Sequence, residues 1–187
     1  MNTPNKLTIF RMIMTPVFLA AILIDVPHRY LWAIITFSIA AITDAIDGNL
    51  ARKHNQVTVF GKLTDPVADK MLTTAALLAF MQLGLCNIWI VLIVLTREFA
   101  VTSIRLVASA EGIVIPANMW GKIKTVSQMT FTILIMLIKE IEYLGFIPAS
   151  VPIPLISNIL LGITAVLTVV SGVIYIAESS KLIDFSK

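Results

Sequence analysis

Long apolar runs alternate with short polar connections along this chain, and the connections hold its turn-forming prolines, glycines and Asn87. Each run is close to the roughly 20 residues that a helix needs to cross a hydrocarbon core. The predicted spans are 8–25, 31–48, 66–84, 88–109, 121–144 and 153–178. The pattern therefore predicts an all-α, polytopic membrane protein with six transmembrane helices in a single domain covering residues 1–187.

Composition favours the same class. Hydrophobic residues make up 58% of the 187 positions and charged residues only 13%, whereas about a quarter of a soluble domain is charged. The mean hydropathy is +0.92. The one cysteine, Cys86, excludes a disulfide within the chain.

The first residues mix polar and apolar positions, and Pro4 suits the first turn of a helix. Residues 2–11 therefore predict a short N-terminal helix lying on the membrane interface before the first span. The alternative is a frayed terminus.

The basic residues predict the orientation. With six spans, the termini, the 2–3 connection and the 4–5 connection share one side, and the opposite side has only Arg29 and Lys139. The first side, with its helix ends, carries Lys6, Arg11, Arg52, Lys53, Lys62, Lys70, Arg97, Arg105, Lys122, Lys124, Lys181 and Lys187. The positive-inside rule then places both termini and the 2–3 connection on the cytoplasmic side of the membrane. We expect membrane lipids as surroundings and no nucleic-acid partner.

Four aspartates stand where two spans approach that side. Asp44 and Asp47 are three apart at the end of span 2, and Asp65 and Asp69 are four apart at the start of span 3. Both spacings put a pair on one helical face. Four close carboxylates repel, and oxygen ligands without clustered Cys or His favour Mg²⁺ or Mn²⁺, so the pattern predicts two such ions. The alternative is that these aspartates are helix caps and surface charges.

The aspartates belong to a longer pattern. It reads Asp44-Ala-Ile-Asp47-Gly48-Asn-Leu-Ala51-Arg52, eight residues, Gly61, three residues, Asp65, three residues, Asp69. In every fixed position this resembles the motif of the CDP-alcohol phosphatidyltransferases, D-x2-D-G-x2-A-R-x8-G-x3-D-x3-D. Three weaker segments, 4–11, 97–105 and 121–128, resemble the bacterial phosphatidylglycerophosphate synthases within that family.

The resemblance implies the chemistry. The donor would be CDP-diacylglycerol, the acceptor sn-glycerol 3-phosphate, and the protein a homodimer. The four aspartates would hold the metal ions, with Asp69 also the candidate general base. The donor site would include Asn5, Thr8, Gly48, Arg52 and Gly61. The closely approaching backbone at the two glycines needs a residue without a side chain.

An acceptor that carries its own phosphate requires cations. Arg105 and Lys122 are the favoured candidates, while Arg97 and Lys124 are further ones, and Arg97 has Glu98 as an alternative partner. Their competing role is to set topology and to reach lipid phosphate.

Two other functions stay open. The same chemistry could use phosphatidylglycerol, inositol phosphate or serine as acceptor, although a lipid acceptor needs less positive charge. An ion or metal transporter also uses intramembrane acids. The clustering of these acids at one edge, with no unwound segment at midspan, counts against a transporter.

Overall fold

The computed structural model describes residues 3–54, 59–110, 112–113, 119–148 and 150–180, with side chains in these ranges except at 3–5, 44–54, 59–66 and 69. The described residues form six α-helices and no strand. The helices are α1 (Thr3–Leu23), α2 (Arg29–His54), α3 (Val59–Gln82), α4 (Ile88–Ala110), α5 (Met119–Tyr143) and α6 (Ile153–Ser179). The predicted all-α class is thereby confirmed.

Two helices run well past the apolar segments that predicted them. α2 continues through the polar motif to His54, and α3 begins at Val59 instead of residue 66. Hydropathy marks where a helix meets lipid, whereas backbone hydrogen bonding continues until the chain turns. All four motif aspartates consequently lie on helical backbone.

The prediction of a separate N-terminal helix over residues 2–11 is wrong for the described residues. The described chain from Thr3 to Leu23 is one helix, with Pro4 in its first turn, where proline is tolerated, and Pro16 in its interior. The polar side chains of Thr8 and Arg11 are only 1% and 4% exposed. An interfacial helix would keep such groups in water, so these residues are instead the first turns of α1, packed against the bundle.

The helices pack in two groups of three. α1 lies against α2 and α3, α6 lies against α4 and α5, and α2–α5 and α3–α4 contacts join the groups. Large side chains fill the centre, including Phe18 and Phe37, whose ring centroids are 5.5 Å apart. Within each group, α1 and α6 therefore make the most extensive contacts with the other two helices.

Within the described residues, three helices are long and apolar enough to cross a membrane: α1 over Lys6–Leu23, α5 and α6. α2 has a shorter apolar segment, Arg29–Thr43. α4 is also apolar but carries Arg97, Glu98 and Arg105. Large apolar side chains are exposed along all six helices, as Trp89 and Val166 illustrate. This outer surface suits hydrocarbon, since lipid tails are as apolar as leucine.

A buried carboxylate holds together the end of the bundle that lies away from the motif. Glu140 of α5 is 5% exposed, lies 2.6 Å from His28 Nδ1 and accepts the Leu31 N–H at 3.3 Å. His28 has a φ of 58°, a left-handed conformation that few non-glycine residues adopt. Glu140 thus ties the α1–α2 turn to α5 and accepts a hydrogen bond from the start of α2.

Candidate active site

The motif aspartates lie on two consecutive helices. Asp44 and Asp47 belong to α2, and Asp65 and Asp69 belong to α3. Because both segments are helical, each pair keeps the three- or four-residue spacing that places it on one helical face. Their side chains lie outside the described ones. Among the described side chains, no group of three or more His, Cys, Asp or Glu residues could hold a metal ion.

One residue after Asp69, Lys70 enters a cluster of charged side chains that joins three helices. At its centre is Glu98 of α4. Lys124 Nζ of α5 donates to Glu98 Oε1 at 2.5 Å, and Arg97 Nη1 donates to the same oxygen at 3.1 Å. Lys70 Nζ of α3 lies 3.7 Å from Glu98 Oε2. We call Lys70, Arg97, Glu98 and Lys124 the Glu98 cluster.

The Glu98 cluster is largely shielded from solvent. Lys124 is 4% exposed, and the side chains of Arg97 and Glu98 are 15% and 17% exposed. Among the described side chains of the cluster, three cations share one carboxylate. Charges at this depth need partners, and Glu98 is the described carboxylate that Lys70, Arg97 and Lys124 share beside the motif helix.

Arg97 reaches Glu98 across the surface of α6. Its side chain passes over Gly172, where an added Cβ would lie 2.9 Å from Arg97 Cγ. Near its other end, an added Cβ on Gly121 of α5 would lie 3.8 Å from Nη2. Arg97 Nε has no hydrogen-bond partner among the described residues. The guanidinium group is therefore placed by packing as well as by its ion pair.

The two favoured acceptor residues lie elsewhere on the same helices. Arg105 is exposed, and its guanidinium carbon is 5.9 Å from the centroid of the Tyr175 ring. Lys122 is also exposed. Of the four predicted acceptor cations, the structure brings together Arg97 and Lys124 and does not bring Arg105 or Lys122 to the Glu98 cluster.

Comparison with known proteins places this site in a family. The model of the CDP-alcohol phosphatidyltransferase family matches residues 1–170. The chain belongs to the CDP-alcohol phosphatidyltransferase family.

Three relatives are similar to this chain over nearly its whole length. It is 38% identical to the Bacillus subtilis CDP-diacylglycerol–glycerol-3-phosphate 3-phosphatidyltransferase, over 99% of this chain and 98% of that one. It is 38% identical to a probable phosphatidylglycerophosphate synthase of Mycobacterium tuberculosis, over 96% of this chain and 82% of that one. The Rickettsia bellii CDP-diacylglycerol–glycerol-3-phosphate 3-phosphatidyltransferase is 34% identical over 96% of each chain. The chain is thus a phospholipid-synthesising transferase and a membrane protein with several candidate spans.

This family uses divalent metal, and the donor set here fits such ions. Four carboxylates on helical faces of α2 and α3 offer the hard oxygen ligands that Mg²⁺ and Mn²⁺ prefer. Of the predicted donor-site residues, Thr8 is buried on α1. The side chains of Asn5, Gly48, Arg52 and Gly61 lie outside the described ones.

Sequence reasoning missed two parts of the site. It counted Lys70 only as a topology residue, and it treated Glu98 as a partner of Arg97 alone. The sequence did contain a signal. An acid next to an arginine inside an apolar run is costly in a membrane, so such residues are usually paired and mark a functional site.

Proposed function

We propose that this chain transfers the phosphatidyl group from CDP-diacylglycerol to sn-glycerol 3-phosphate, giving phosphatidylglycerophosphate and CMP. Its similarity along nearly the full chain to relatives named for that activity supports the assignment. The structural observation that carries it is the Glu98 cluster, because the cluster adds a buried anion site to the donor chemistry of the family.

The cations of the Glu98 cluster favour an acceptor that carries its own phosphate. A phosphate monoester carries a charge of about −1.5 to −2 at pH 7. In the Glu98 cluster, the three cations Lys70, Arg97 and Lys124 surround one carboxylate. Charge-assisted hydrogen bonds from Arg97 and Lys124 would hold the phosphate, and the arginine can bind two oxygens at once. Serine has no phosphate to fill this site.

The position of Lys70 links this anion site to the motif. Lys70 directly follows Asp69 in α3, and its ammonium group reaches Glu98 of α4. An acceptor bound through its phosphate at the Glu98 cluster would therefore lie beside the helix that carries Asp65 and Asp69. Such placement raises the local concentration of the acceptor hydroxyl at the donor phosphorus.

The motif aspartates would hold two divalent ions, Mg²⁺ or Mn²⁺. Asp44 and Asp47 would contribute ligands from α2, and Asp65 and Asp69 from α3. When bound, such ions neutralise the donor pyrophosphate and stabilise the charge that develops on the departing CMP. The aspartates themselves fix where the pyrophosphate lies relative to the acceptor.

The reaction would be a single in-line displacement. The acceptor hydroxyl oxygen forms a bond to the lipid-linked phosphorus, and the bond from that phosphorus to the CMP oxygen breaks. Asp69 would accept the hydroxyl proton, because an alcohol is a poor nucleophile until a positioned base takes its proton. CMP leaves with the bonding electron pair.

The donor nucleotide would lie between α1 and the motif. Asn5 and Thr8 would line it from α1, Arg52 would pair with a donor phosphate, and Gly48 and Gly61 would let the backbone approach it. The burial of Thr8 places that part of α1 inside the bundle, which is compatible with a ligand-facing role.

We propose six spans in one domain, with both termini and the active site on the cytoplasmic side of a bacterial inner membrane. The 26 residues of α2 extend about 39 Å at 1.5 Å per residue, more than the roughly 30 Å of hydrocarbon. Because the polar motif begins at Asp44, the motif end of α2 would project into the cytoplasmic headgroup region. A homodimer is proposed on family resemblance.

The test is an acceptor panel. Purified protein in detergent receives CDP-diacylglycerol, Mg²⁺ and either glycerol 3-phosphate, phosphatidylglycerol, inositol phosphate or serine, and released CMP is measured. We expect CMP release with glycerol 3-phosphate far above that with the other three. Preference for phosphatidylglycerol would overturn the acceptor and leave the transferase chemistry in place.

A further inference from the structure

Gly172 of α6 stands at the closest approach between α6 and the Arg97 side chain. A Cβ atom added there would lie 2.9 Å from Arg97 Cγ, 3.7 Å from Nε and 3.9 Å from Cδ. A separation of 2.9 Å is too short for two carbon atoms, so Arg97 would have to move. The contact involves the first carbons beyond Cβ, and a shift there is carried to the guanidinium group at the end of the chain.

Arg97 has little room for that movement. Its Nη1 is held 3.1 Å from Glu98 Oε1, and its side chain is only 15% exposed. α6 presents small side chains along this face, including Ser171 and Thr168, both about fully buried. The Arg97 side chain is therefore packed directly against the backbone of α6 at Gly172.

Gly162, the other glycine of α6, gives a direct contrast. A Cβ added there would meet nothing within 4 Å. Glycine is less favourable than alanine in the interior of a helix, and clearance for a neighbour explains its presence at Gly172 but not at Gly162.

We propose that Gly172 is a positioning residue for acceptor binding: it supplies the clearance that lets Arg97 present its guanidinium group to the acceptor phosphate. This inference rests on the proposed function, because it takes Arg97 as a ligand of that phosphate. Gly172 itself touches no reacting atom.

The test compares Gly172→Ala with Gly162→Ala in the purified enzyme. Glycerol 3-phosphate is varied at saturating CDP-diacylglycerol, and then the reverse. For Gly172→Ala we expect a rise of about tenfold in the acceptor KM, the effect of weakening one charge-assisted hydrogen bond. The donor KM and the kcat at saturating acceptor stay near those of Gly162→Ala. Equal acceptor KM values in the two variants would overturn the proposal.

A double-mutant cycle separates clearance from general packing. Arg97→Ala removes Cγ, so adding Gly172→Ala to it is expected to change the acceptor KM no further. A Gly172→Ala effect that is the same with and without Arg97 contradicts the proposal. If Gly172→Ala alone fails to fold, the double variant is expected to recover folded protein, and its failure to do so counts against the clearance role.

The wild-type panel keeps this inference separable from the proposed function. If wild type ignores glycerol 3-phosphate and uses another phosphorylated acceptor, the acceptor assignment falls, and the cycle is measured with that acceptor. If wild type uses glycerol 3-phosphate while the cycle shows no coupling, only the role of Gly172 falls.

Discussion

Replacing Lys124 by methionine tests whether the Glu98 cluster is the acceptor site or only a buried ion network. Methionine keeps most of the length and apolar volume of lysine and removes the charge. Lys124 is 4% exposed and donates to Glu98 Oε1 at 2.5 Å, so the change falls at the centre of the cluster.

The size of each effect follows from the contacts. If Lys124 also binds the acceptor phosphate, its loss removes one charge-assisted hydrogen bond worth about 1.5–3 kcal/mol. At 1.36 kcal/mol per tenfold, kcat/KM for glycerol 3-phosphate falls by about 10- to 150-fold. The stability loss should stay below the roughly 3–5 kcal/mol of an isolated broken buried pair, because Glu98 keeps Arg97 at 3.1 Å and Lys70 at 3.7 Å.

Lys122→Met is the matched comparison. Lys122 is the same residue type on the same helix, two positions earlier, and it is exposed. Steady-state CMP release is measured for both variants, with each substrate varied in turn, alongside thermal unfolding in detergent. We expect the acceptor effect to be large for Lys124→Met and small for Lys122→Met, with an unchanged KM for CDP-diacylglycerol in both.

Two results would refute this reasoning. A larger acceptor effect for Lys122→Met would move the phosphate to the exposed face of α5, as the sequence first suggested. A loss of stability in Lys124→Met without any change in acceptor kinetics would make the Glu98 cluster purely structural.

Three further predictions concern the metal ions, the base and the cysteine. Excess EDTA should abolish CMP release and Mg²⁺ or Mn²⁺ should restore it, since uncompensated carboxylates repel a pyrophosphate; full activity in chelator would contradict the metal site. Asp69→Asn should retain part of the donor binding yet lose turnover at saturating Mg²⁺, because an amide cannot accept the proton; near-normal turnover removes Asp69 from the mechanism. Burial raises the pKa of the Cys86 thiol from 9.0 to about 11, so at pH 8 its thiolate is about a hundredfold scarcer than that of an unperturbed thiol. Mass spectrometry should show slow alkylation by iodoacetamide in folded protein and fast alkylation in denatured protein, and equal rates would refute that burial.

The helices were predictable because apolar runs of about 20 residues have few other uses. Their ends were less predictable. Within the polar motif, α2 continues to His54 and α3 begins at Val59. Hydropathy does not report on the part of a helix that lies outside lipid. For the same reason, the mixed polar and apolar positions of residues 2–11 were interpreted as a separate N-terminal helix. Only packing shows that Thr8 and Arg11 face the bundle.

The Glu98 cluster could not be read from spacing along the chain. Lys70, Glu98 and Lys124 stand on three different helices, and their meeting depends on how those helices are rotated and shifted against one another. Positive-inside counting gives the same score to a cation that marks topology and to one that fills a pocket. The structure separates them by burial: Lys124 is inside, and Lys122 is outside.

The Glu98 carboxylate has a specific role in the proposed acceptor site. Without Glu98, Arg97 and Lys124 would be buried cations with a large desolvation cost whenever the acceptor is absent. With one acid for each cation, the cluster would be neutral and would have no electrostatic preference for a phosphate. In the proposed site, the Glu98 carboxylate would lower the cost of burying the three cations while the acceptor is absent. Changing Lys70 to glutamate lowers the charge of the cluster by two, whereas Lys70→Met lowers it by one. Glutamate should therefore weaken glycerol 3-phosphate binding more than methionine does, and equal acceptor KM values in these two variants would show that the charge of the cluster does not govern binding.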